Sequence, residues 1–319
     1  MTSTPNTTHR KVGIVGCGNV GATFAFALTL SGLASEIVLI DANPKKAEGE
    51  AMDLNHAIPQ LQPARIRAGG YADLSGAAVT VITAGSPQRP GETRLDLLQR
   101  NIAIFQSIIP QVVANNPDGI ILVASNPVDV LSYAAWKISG LPHQRVIGSG
   151  TVLDTARFRY LLSQAYGVDA RSVHAYIIGE HGDSEVPVWS LANIAGMRLE
   201  DYCRANCRHV EELDREKIFH QTRDAAYEII EAKGSTYYAI AAGLLRIVES
   251  ILRDQSTVLS VSHYIESYYG ISDVYLSLPC VIDRGGIEQS LSLTLDEQEA
   301  EAFRQSAQIL QGHLRDIQF

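Results

Sequence analysis

Near its start the chain has a short β-branched segment followed at once by a glycine-rich loop. This combination narrows the folds that the chain can adopt. Val12–Val15 precede the sequence Gly-Cys-Gly-Asn-Val-Gly, and a helical pattern begins at Ala22. A glycine loop between a strand and a helix lets the backbone approach a pyrophosphate, which the helix N-terminus stabilises. The alternatives are a tight turn that binds no nucleotide and a site for another adenosine cofactor.

An acidic residue follows where the ribose of a dinucleotide would bind. Asp41 ends the second predicted strand, 20 residues after Gly21. A carboxylate there would accept hydrogen bonds from the ribose hydroxyls and repel a 2′-phosphate, so the sequence predicts NAD as the cofactor and not NADP. The cofactor-binding residues predicted in this region are Gly16, Gly18, Asn19, Val20, Gly21 and Asp41.

From Lys11 to Gly150, short β-branched segments alternate with longer segments of helical period, a pattern typical of βαβ units. The predicted strands are Val12–Val15, Ile37–Ile40, Ala64–Arg67, Val79–Thr83, Ile120–Ala124 and Val146–Ile147. The predicted helices are Ala22–Leu33, Lys45–Ala57, about Glu92 to Asn115, and Val128–Ile138. The first half is therefore expected to be an α/β domain with a doubly wound parallel Rossmann sheet.

After Gly150 the pattern becomes mixed α+β. Helices are predicted at Leu153–Tyr166, Glu211–Ala232 and Thr236–Asp254, and antiparallel strands at Val258–Ser262, Ser272–Leu278 and Val281–Ile282. Lys233 and Gly234 predict a helix end, and Thr294 with Glu297 predicts a capping box before a final helix. The predicted organisation is a polar tail over residues 1–10, a nucleotide-binding domain over 11–150 and a second domain over 151–319.

The composition excludes several classes of protein. Hydrophobic residues are 46% of the 319 and charged residues 19%, which excludes a wholly disordered chain. The net charge of -9 disfavours nucleic acid and membrane surfaces as partners. Four scattered cysteines, a polar first segment and no apolar run of bilayer length predict a cytoplasmic protein. Cys203, Cys207 and His209 lack a second ligand pair at zinc-site spacing, so no metal site is predicted.

Three charged side chains form a candidate catalytic group. His181 lies between small residues in Gly-Glu-His-Gly-Asp, where its imidazole can face a cleft. Asp154 and Arg157 are three residues apart on a predicted helix, so they share a face. A carboxylate beside a histidine fixes its tautomer and favours the imidazolium, and an arginine can hold a carboxylate by two parallel hydrogen bonds. The alternative for Asp154 and Arg157 is a surface ion pair.

Two segments at the carboxyl ends of predicted strands complete the candidate site, because ligands of open α/β sheets bind there. The segment from Thr83 to Arg94 contains two prolines and two glycines and could be a mobile lid that carries Gln88 and Arg94. Its alternative is a solvated connection. Asn126 follows another buried strand. Further cofactor-binding residues predicted at these strand ends are Thr83, Ala84, Gly85 and Asn126.

Five motifs carry a family resemblance that extends, in order, over nearly the whole chain. They are the glycine loop, Ser-Asn-Pro-Val-Asp (125–129), Leu-Asp-Thr-Ala-Arg-Phe-Arg (153–159), Gly-Glu-His-Gly-Asp-Ser-Glu (179–185) and Lys-Gly-Ser-Thr (233–236). Together they resemble the L-lactate and malate dehydrogenase family. The resemblance implies a nicotinamide-binding domain, then a mixed α+β substrate domain, and a dimer or tetramer, of which we predict a homotetramer.

The resemblance also implies a role for each candidate residue in hydride transfer between the nicotinamide and C2 of a 2-hydroxy acid. His181 would take or return the hydroxyl proton, Asp154 would raise its pKa, and Arg157 would hold the substrate carboxylate. Arg94 would polarise the carbonyl group when the loop closes. Asn126 would orient the carbonyl oxygen and the cofactor amide.

Gln88 predicts the substrate. In this family glutamine at that position is typical of lactate dehydrogenases and arginine of malate dehydrogenases, and an arginine facing pyruvate would keep an unpaired charge. Arg89 raises the alternative of a one-residue shift, which the register of Pro90–Arg94 opposes; Thr236 fits a pocket for a methyl group. The predicted substrates are pyruvate and lactate. The alternatives are malate dehydrogenase, a dehydrogenase of larger 2-hydroxy acids, and a non-catalytic NAD-sensing module.

Arg159 and His174 match the positions at which bacterial members of the family bind fructose 1,6-bisphosphate between subunits. An arginine and a titratable histidine, doubled across a two-fold axis, would form a cationic site for a bisphosphate. The alternative is an ordinary polar subunit interface.

Overall fold

The computed structural model describes residues 10–86, 94–206, 214–315 and 317. Six parallel strands form the first part of its main sheet. The strands are β1 (Lys11–Val15), β2 (Glu36–Ile40), β3 (Arg65–Ala68), β4 (Val79–Ile82), β5 (Ile120–Val123) and β6 (Val146–Gly148). They lie in the order β6-β5-β4-β1-β2-β3. The order reverses between β1 and β4, which is the doubly wound arrangement that the sequence predicts.

Helices cover both faces of this sheet. They are α1 (Asn19–Ser31), α2 (Pro44–Ala57), α3 (Arg94–Asn115) and α4 (Val128–Ser139). Phe24 of α1 packs in the apolar core on one face, whereas Phe105 of α3 and Leu131 of α4 pack on the other. Every residue of β1, β4 and β5 is buried. Strands covered on both sides need continuous apolar segments, which explains why the β-branched pattern predicts them well.

The second half begins with α5 (Val152–Tyr166) and continues through short strands and three further helices. The short strands are β7 (Val173–His174), β8 (Ile177–Ile178), β9 (Val186–Pro187), β10 (Asn193–Ile194) and β11 (Met197–Arg198). The helices are α6 (Leu199–Asn206), α7 (Arg215–Lys233) and α8 (Tyr238–Arg253). Gly234 caps α7 with a φ of 87°, as Lys233 and Gly234 predict. No helix in the described ranges is long and apolar enough to cross a membrane.

Three antiparallel strands continue the same sheet beyond β6: β12 (Thr257–Ile265), β13 (Val274–Asp283) and β14 (Gly286–Ser290). Ser262 of β12 pairs with Gly148 of β6, so the two halves of the chain share one sheet. The two segments predicted on either side of Pro279 are one strand, β13. Strand β14 was not predicted, because its segment Gly-Ile-Glu-Gln-Ser alternates too weakly to indicate a strand.

The last helix, α9 (Glu297–Arg315), corrects the predicted capping box. Asp296 Oδ1 accepts the N–H of Glu299 at 2.8 Å, and Glu299 Oε2 accepts the N–H of Asp296 at 3.1 Å, so the box lies two residues after the predicted pair. Glu299 is buried, and its carboxylate also accepts hydrogen bonds from the amide and hydroxyl of Ser190. This tertiary contact favours Glu299 over Glu297 as the capping residue.

Candidate active site

The glycine loop lies between the carboxyl ends of β1, β2 and β4. Gly16 has a φ of +104°, and a Cβ on it would lie 2.5 Å from the backbone nitrogen of Ala84. A Cβ on Gly21 would lie 1.9 Å from the carbonyl oxygen of Gly16. Gly18, by contrast, faces open space at the start of α1. The loop is therefore closely packed at two glycines, and at the third its backbone is open to a ligand, which fits the pyrophosphate of a dinucleotide.

Asp41 holds this loop from the end of β2. One carboxylate oxygen accepts the N–H of Cys17 at 2.7 Å, and the other accepts the N–H of Asn43 at 2.9 Å. Asp41 remains partly exposed, and a carboxylate has further acceptor positions on each oxygen, so it can also accept ribose hydroxyls. The donor set therefore fits the adenosine half of NAD.

The remaining predicted cofactor residues lie around the same strand ends. Thr83 Oγ1 donates to the carbonyl oxygen of Gly16 at 2.6 Å, and the N–H of Ala84 bonds to β1 at Val15. Asn19 donates from Nδ2 to Ser235 Oγ at 3.0 Å, which connects the glycine loop to the segment between α7 and α8. Gly85 lies beside Ser125 at the end of β5, and Val20 is half-buried against the core at the start of α1.

Asp154 contacts both of the other candidate catalytic residues, His181 and Arg157. Its Oδ2 lies 2.5 Å from Nδ1 of His181, and its Oδ1 accepts a hydrogen bond from Nη1 of Arg157 at 2.9 Å. The side chain of Asp154 is 2% exposed, whereas Arg157 is 14% and His181 20% exposed. The structure therefore brings the three predicted residues together around one buried carboxylate, with the imidazole and the guanidinium reaching toward solvent.

The surroundings of His181 favour its protonated form. Burial alone would lower the pKa of this histidine, but the charge and hydrogen bond of Asp154 outweigh burial and raise its pKa to about 9. Since Nδ1 is bound to Asp154, the proton on Nε2 is the one that can be transferred. At neutral pH the group is therefore an imidazolium positioned as a general acid.

Two buried acidic residues near His181 were not predicted as site residues from the sequence. Asp129, at the start of α4, accepts the backbone N–H of His181 at 2.8 Å, and burial raises its pKa to about 7. Burial also raises the pKa of Glu185 to about 9, with repulsion from Asp154 adding to the effect. Both residues lie in motifs that carry the family resemblance, and these motifs were the sequence signal that could have identified them. Their burial depends on the tertiary structure.

The structure describes only some of the other residues predicted to bind substrate. Gln88 lies outside the described residues, and Arg94 begins α3 but its side chain also lies outside them. Asn126 is exposed after β5, and its carbonyl oxygen accepts a hydrogen bond from Asn101 at 3.2 Å. Thr236 is half-buried beside Ser235, which contacts the glycine loop. Thr236 therefore lies on a segment that contacts the glycine loop, whereas the segment of Asn126 contacts α3.

Arg159 and His174 lie on adjacent elements, α5 and β7. Arg159 is half-buried: its Nε donates to the carbonyl oxygen of Ala175 at 2.8 Å, and its guanidinium lies 5.1 Å from the centre of the Tyr176 ring. Burial lowers the pKa of Arg159. His174 is exposed.

Of the glycine-loop cysteine and the candidate metal ligands, Cys17 and Cys203 lie within the described residues. Cys17 is buried inside the glycine loop, and burial, with the charge of Asp41, raises its pKa to about 12, so its thiol is unreactive. Cys203 is half-buried in α6, and Cys207 and His209 lie outside the described residues. Within those residues no three His, Cys, Asp or Glu side chains are close enough to hold a metal ion.

Two family models together match nearly the whole chain. Residues 10–148 match the NAD binding domain of lactate/malate dehydrogenase, and residues 151–318 match the alpha/beta C-terminal domain of lactate/malate dehydrogenase. Among curated relatives, an L-lactate dehydrogenase of Priestia megaterium is 53% identical over 308 residues, 96% of each chain. An L-lactate dehydrogenase of Acetivibrio thermocellus is 52% identical over 312 residues, 98% of each chain.

Solved structures agree with the sequence comparisons. A lactate dehydrogenase from a Medee basin deep-sea metagenome library aligns with a TM-score of 0.94 at 45% identity, covering 97% of this chain and 99% of that one. A minor L-lactate dehydrogenase from Enterococcus mundtii, in a ligand-bound form, also aligns at 0.94 with 43% identity, covering 98% and 100%. The chain therefore belongs to the lactate/malate dehydrogenase family, with the NAD-binding domain of that family in its first half.

Proposed function

We propose that this chain is an NAD-dependent L-lactate dehydrogenase that interconverts pyruvate and L-lactate. The main support for the proposal is that one buried carboxylate, that of Asp154, binds both His181 and Arg157. The names of the similar proteins from Priestia megaterium and Acetivibrio thermocellus support the choice of substrate. When bound, NADH supplies the hydride that adds to C2 of the 2-oxo acid.

His181 is the general acid and base. In pyruvate reduction its Nε2–H donates a proton to the carbonyl oxygen as charge develops there, and in lactate oxidation neutral His181 accepts the hydroxyl proton. Asp154 keeps Nδ1 as the other donor and stabilises the imidazolium. A pKa of about 9 for His181 means that the free enzyme at neutral pH is in the state that reduces pyruvate.

Arg157 holds the substrate carboxylate. Asp154 uses only Nη1 of its guanidinium, so the other N–H groups remain to form a bidentate pair with a carboxylate. Because Arg157 and His181 share Asp154, the substrate's carboxylate and its C2 oxygen are held by groups with a fixed mutual orientation. This fixed geometry supports catalysis by orientation as well as proton transfer.

The remaining substrate roles follow from the family motifs. Arg94 polarises the C2 carbonyl, Gln88 faces the methyl group of pyruvate, and Asn126 orients the carbonyl oxygen. Thr236 borders the same pocket on the segment that contacts the glycine loop. The register of Pro90–Arg94 supports Gln88, and not Arg89, as the residue that selects pyruvate over oxaloacetate.

The proposed NAD site combines the open backbone at Gly18, the N-terminus of α1 and the carboxylate of Asp41. Gly16, Gly21 and Thr83 shape its floor by close packing. We further propose a domain boundary near Gly150, which the match of separate family models to 10–148 and 151–318 supports. The homotetramer is proposed from the family resemblance alone. A cytoplasmic location stays a prediction.

Fructose 1,6-bisphosphate is proposed as an effector that binds at Arg159 and His174 across a subunit interface. His174 is exposed, so its imidazole is open to a phosphate group of the bisphosphate. Pyruvate saturation curves measured with and without the bisphosphate test this proposal. Identical curves would contradict it.

Initial rates of NADH oxidation with pyruvate and with oxaloacetate test the proposed function. We expect a higher kcat/KM for pyruvate. A higher kcat/KM for oxaloacetate would assign a malate dehydrogenase, and binding of NADH without turnover of either acid would assign a cofactor-sensing module.

A further inference from the structure

Three successive backbone N–H groups leading to His181 are each bound by a different element. Gly179 donates to the carbonyl oxygen of Ser277 in β13 at 2.9 Å. Glu180 donates to Ser306 Oγ in α9 at 2.8 Å, and His181 donates to Asp129 Oδ2 in α4 at 2.8 Å. The backbone of the catalytic histidine is therefore fixed by a strand and two helices, in addition to the contact of its ring with Asp154.

The contact with α9 is part of a closed ring of hydrogen bonds. Ser184 Oγ donates to Glu180 Oε2, and it lies 3.1 Å from Ser306 Oγ. Since the Ser184 proton is used by the carboxylate, Ser306 must be the donor to Ser184. The ring therefore runs from the Glu180 N–H to Ser306, from Ser306 to Ser184, and back to the Glu180 carboxylate. It fixes both the main chain and the side chain of the residue before His181.

Burial and close packing make this ring stiff. Ser306 is fully buried in α9, so its hydroxyl cannot exchange the ring for bulk water. Gly179 has a φ of +87°, and a Cβ on it would lie 2.8 Å from Ser306 Oγ. The loop thus approaches α9 at a residue without a side chain, and the serine takes the position next to it.

We propose that Ser306 is a positioning residue for His181, through which α9 controls the placement of the general acid. This inference rests on the proposed role of His181 in 2-oxo acid reduction. Ser306 acts through the Glu180 amide and does not itself meet substrate. Loss of its hydroxyl leaves the Glu180 N–H without its partner and frees the loop to move away from Asp154.

The test compares S306A and S184A with the wild-type enzyme, and uses S250A as the matched control. Ser250 is also fully buried in a helix, α8, but among the described residues its hydroxyl bonds only to the carbonyl oxygen of Arg246. For each variant kcat and KM are measured from pH 6 to pH 10 with the 2-oxo acid that the wild type reduces best. NADH binding and thermal unfolding are measured in parallel.

We expect S306A to lower kcat/KM about tenfold, mostly through kcat, because small displacements of a catalytic group are costly. The alkaline limb of its profile should move to lower pH as the contact between His181 and Asp154 lengthens, while NADH affinity stays unchanged. S184A keeps the Glu180 amide bond and should lose about threefold. S250A should match the wild type in kcat/KM and in pH profile.

Wild-type kcat/KM and an unmoved alkaline limb in S306A would overturn the inference, whatever its melting temperature. If S306A does not fold, S184A decides: a shifted limb with reduced kcat supports the inference, and a wild-type profile overturns it. Absence of turnover in the wild type and S250A alike would overturn the proposed function, whereas failure of the inference alone leaves their turnover intact.

Discussion

Asp154 Oδ2 lies 2.5 Å from His181 Nδ1, and the Asp154 side chain is almost fully buried. The other oxygen of the same carboxylate binds Arg157. The group that transfers the proton and the group that holds the substrate carboxylate are therefore positioned by one side chain. A change at Asp154 should affect proton transfer and substrate binding together.

Replacing Asp154 with Asn should move the alkaline limb of the pH profile. Asp154 is what outweighs burial and raises the pKa of His181 to about 9; without its charge the pKa falls toward or below the ordinary value of 6.5. Less imidazolium then remains at pH 7.5, so pyruvate reduction slows there and recovers in part at lower pH. The kcat/KM for pyruvate from pH 5 to pH 10 measures this. An unmoved limb would contradict the role of Asp154.

Replacing Arg157 with Lys should weaken pyruvate binding. Lysine keeps the charge but cannot form two parallel hydrogen bonds with a carboxylate. We expect KM for pyruvate to rise about 100-fold, which corresponds to about 3 kcal/mol, with NADH affinity unchanged. R246K, at an exposed ion pair with Glu249 on α8, is the control and should keep its KM. An R157K enzyme with the KM of the control would argue against the carboxylate clamp.

Replacing Asp41 with Ser should relax the preference for NADH. The substitution removes an acceptor for the ribose hydroxyls and a charge that repels a 2′-phosphate. The ratio of kcat/KM for NADH to that for NADPH should fall at least about tenfold, as the loss of one charged hydrogen bond predicts. D53S on the exposed face of α2 should keep the wild-type ratio. A wild-type ratio in D41S as well would remove Asp41 from the cofactor site.

Replacing Glu185 with Gln should change how stability depends on pH. The pKa of Glu185 is about 9 in the folded chain and near 4.5 in the unfolded chain. Between these values the folded state keeps a proton that the unfolded state loses, so this residue makes the fold less stable as pH rises. E185Q removes that loss, which is at most about 1.4 kcal/mol per pH unit.

Denaturant unfolding at pH 5, 7 and 9 measures this difference. The stability of E185Q relative to the wild type should increase with pH. Glu228 is exposed on α7, and E228Q should show no such trend. A pH-independent difference between E185Q and the wild type would mean that Glu185 is ionised in the folded protein.

The parallel part of the sheet could be predicted from the sequence because all its strands except the edge strand β3 are largely or wholly buried. All six predicted strands overlap observed ones, and their ends differ by no more than one residue. Two features with weaker local patterns were not predicted correctly. The segment of β14 has no apolar alternation, and the capping residue of α9 is Glu299, which is selected by a distant contact with Ser190. Contacts between segments far apart in sequence leave no local periodicity from which to predict them.

The candidate site shows the same contrast between local sequence patterns, which allow prediction, and contacts between distant segments, which do not. The spacing of Asp154 and Arg157 predicts that they share a helix face, and the family motifs connect them to His181. Asp129 and Glu185 lie in those motifs too, but their significance comes from burial near His181, which only the packed structure reveals.

The His181→Asn variant tests the assignment of the general acid. Steady-state pyruvate reduction and NADH binding, measured by fluorescence titration, should be compared with the wild type. We expect kcat to fall by at least about 100-fold, the smallest usual contribution of a general acid, while NADH binds with wild-type affinity. Near-normal pyruvate turnover in this variant would contradict the assignment of His181 as the catalytic acid.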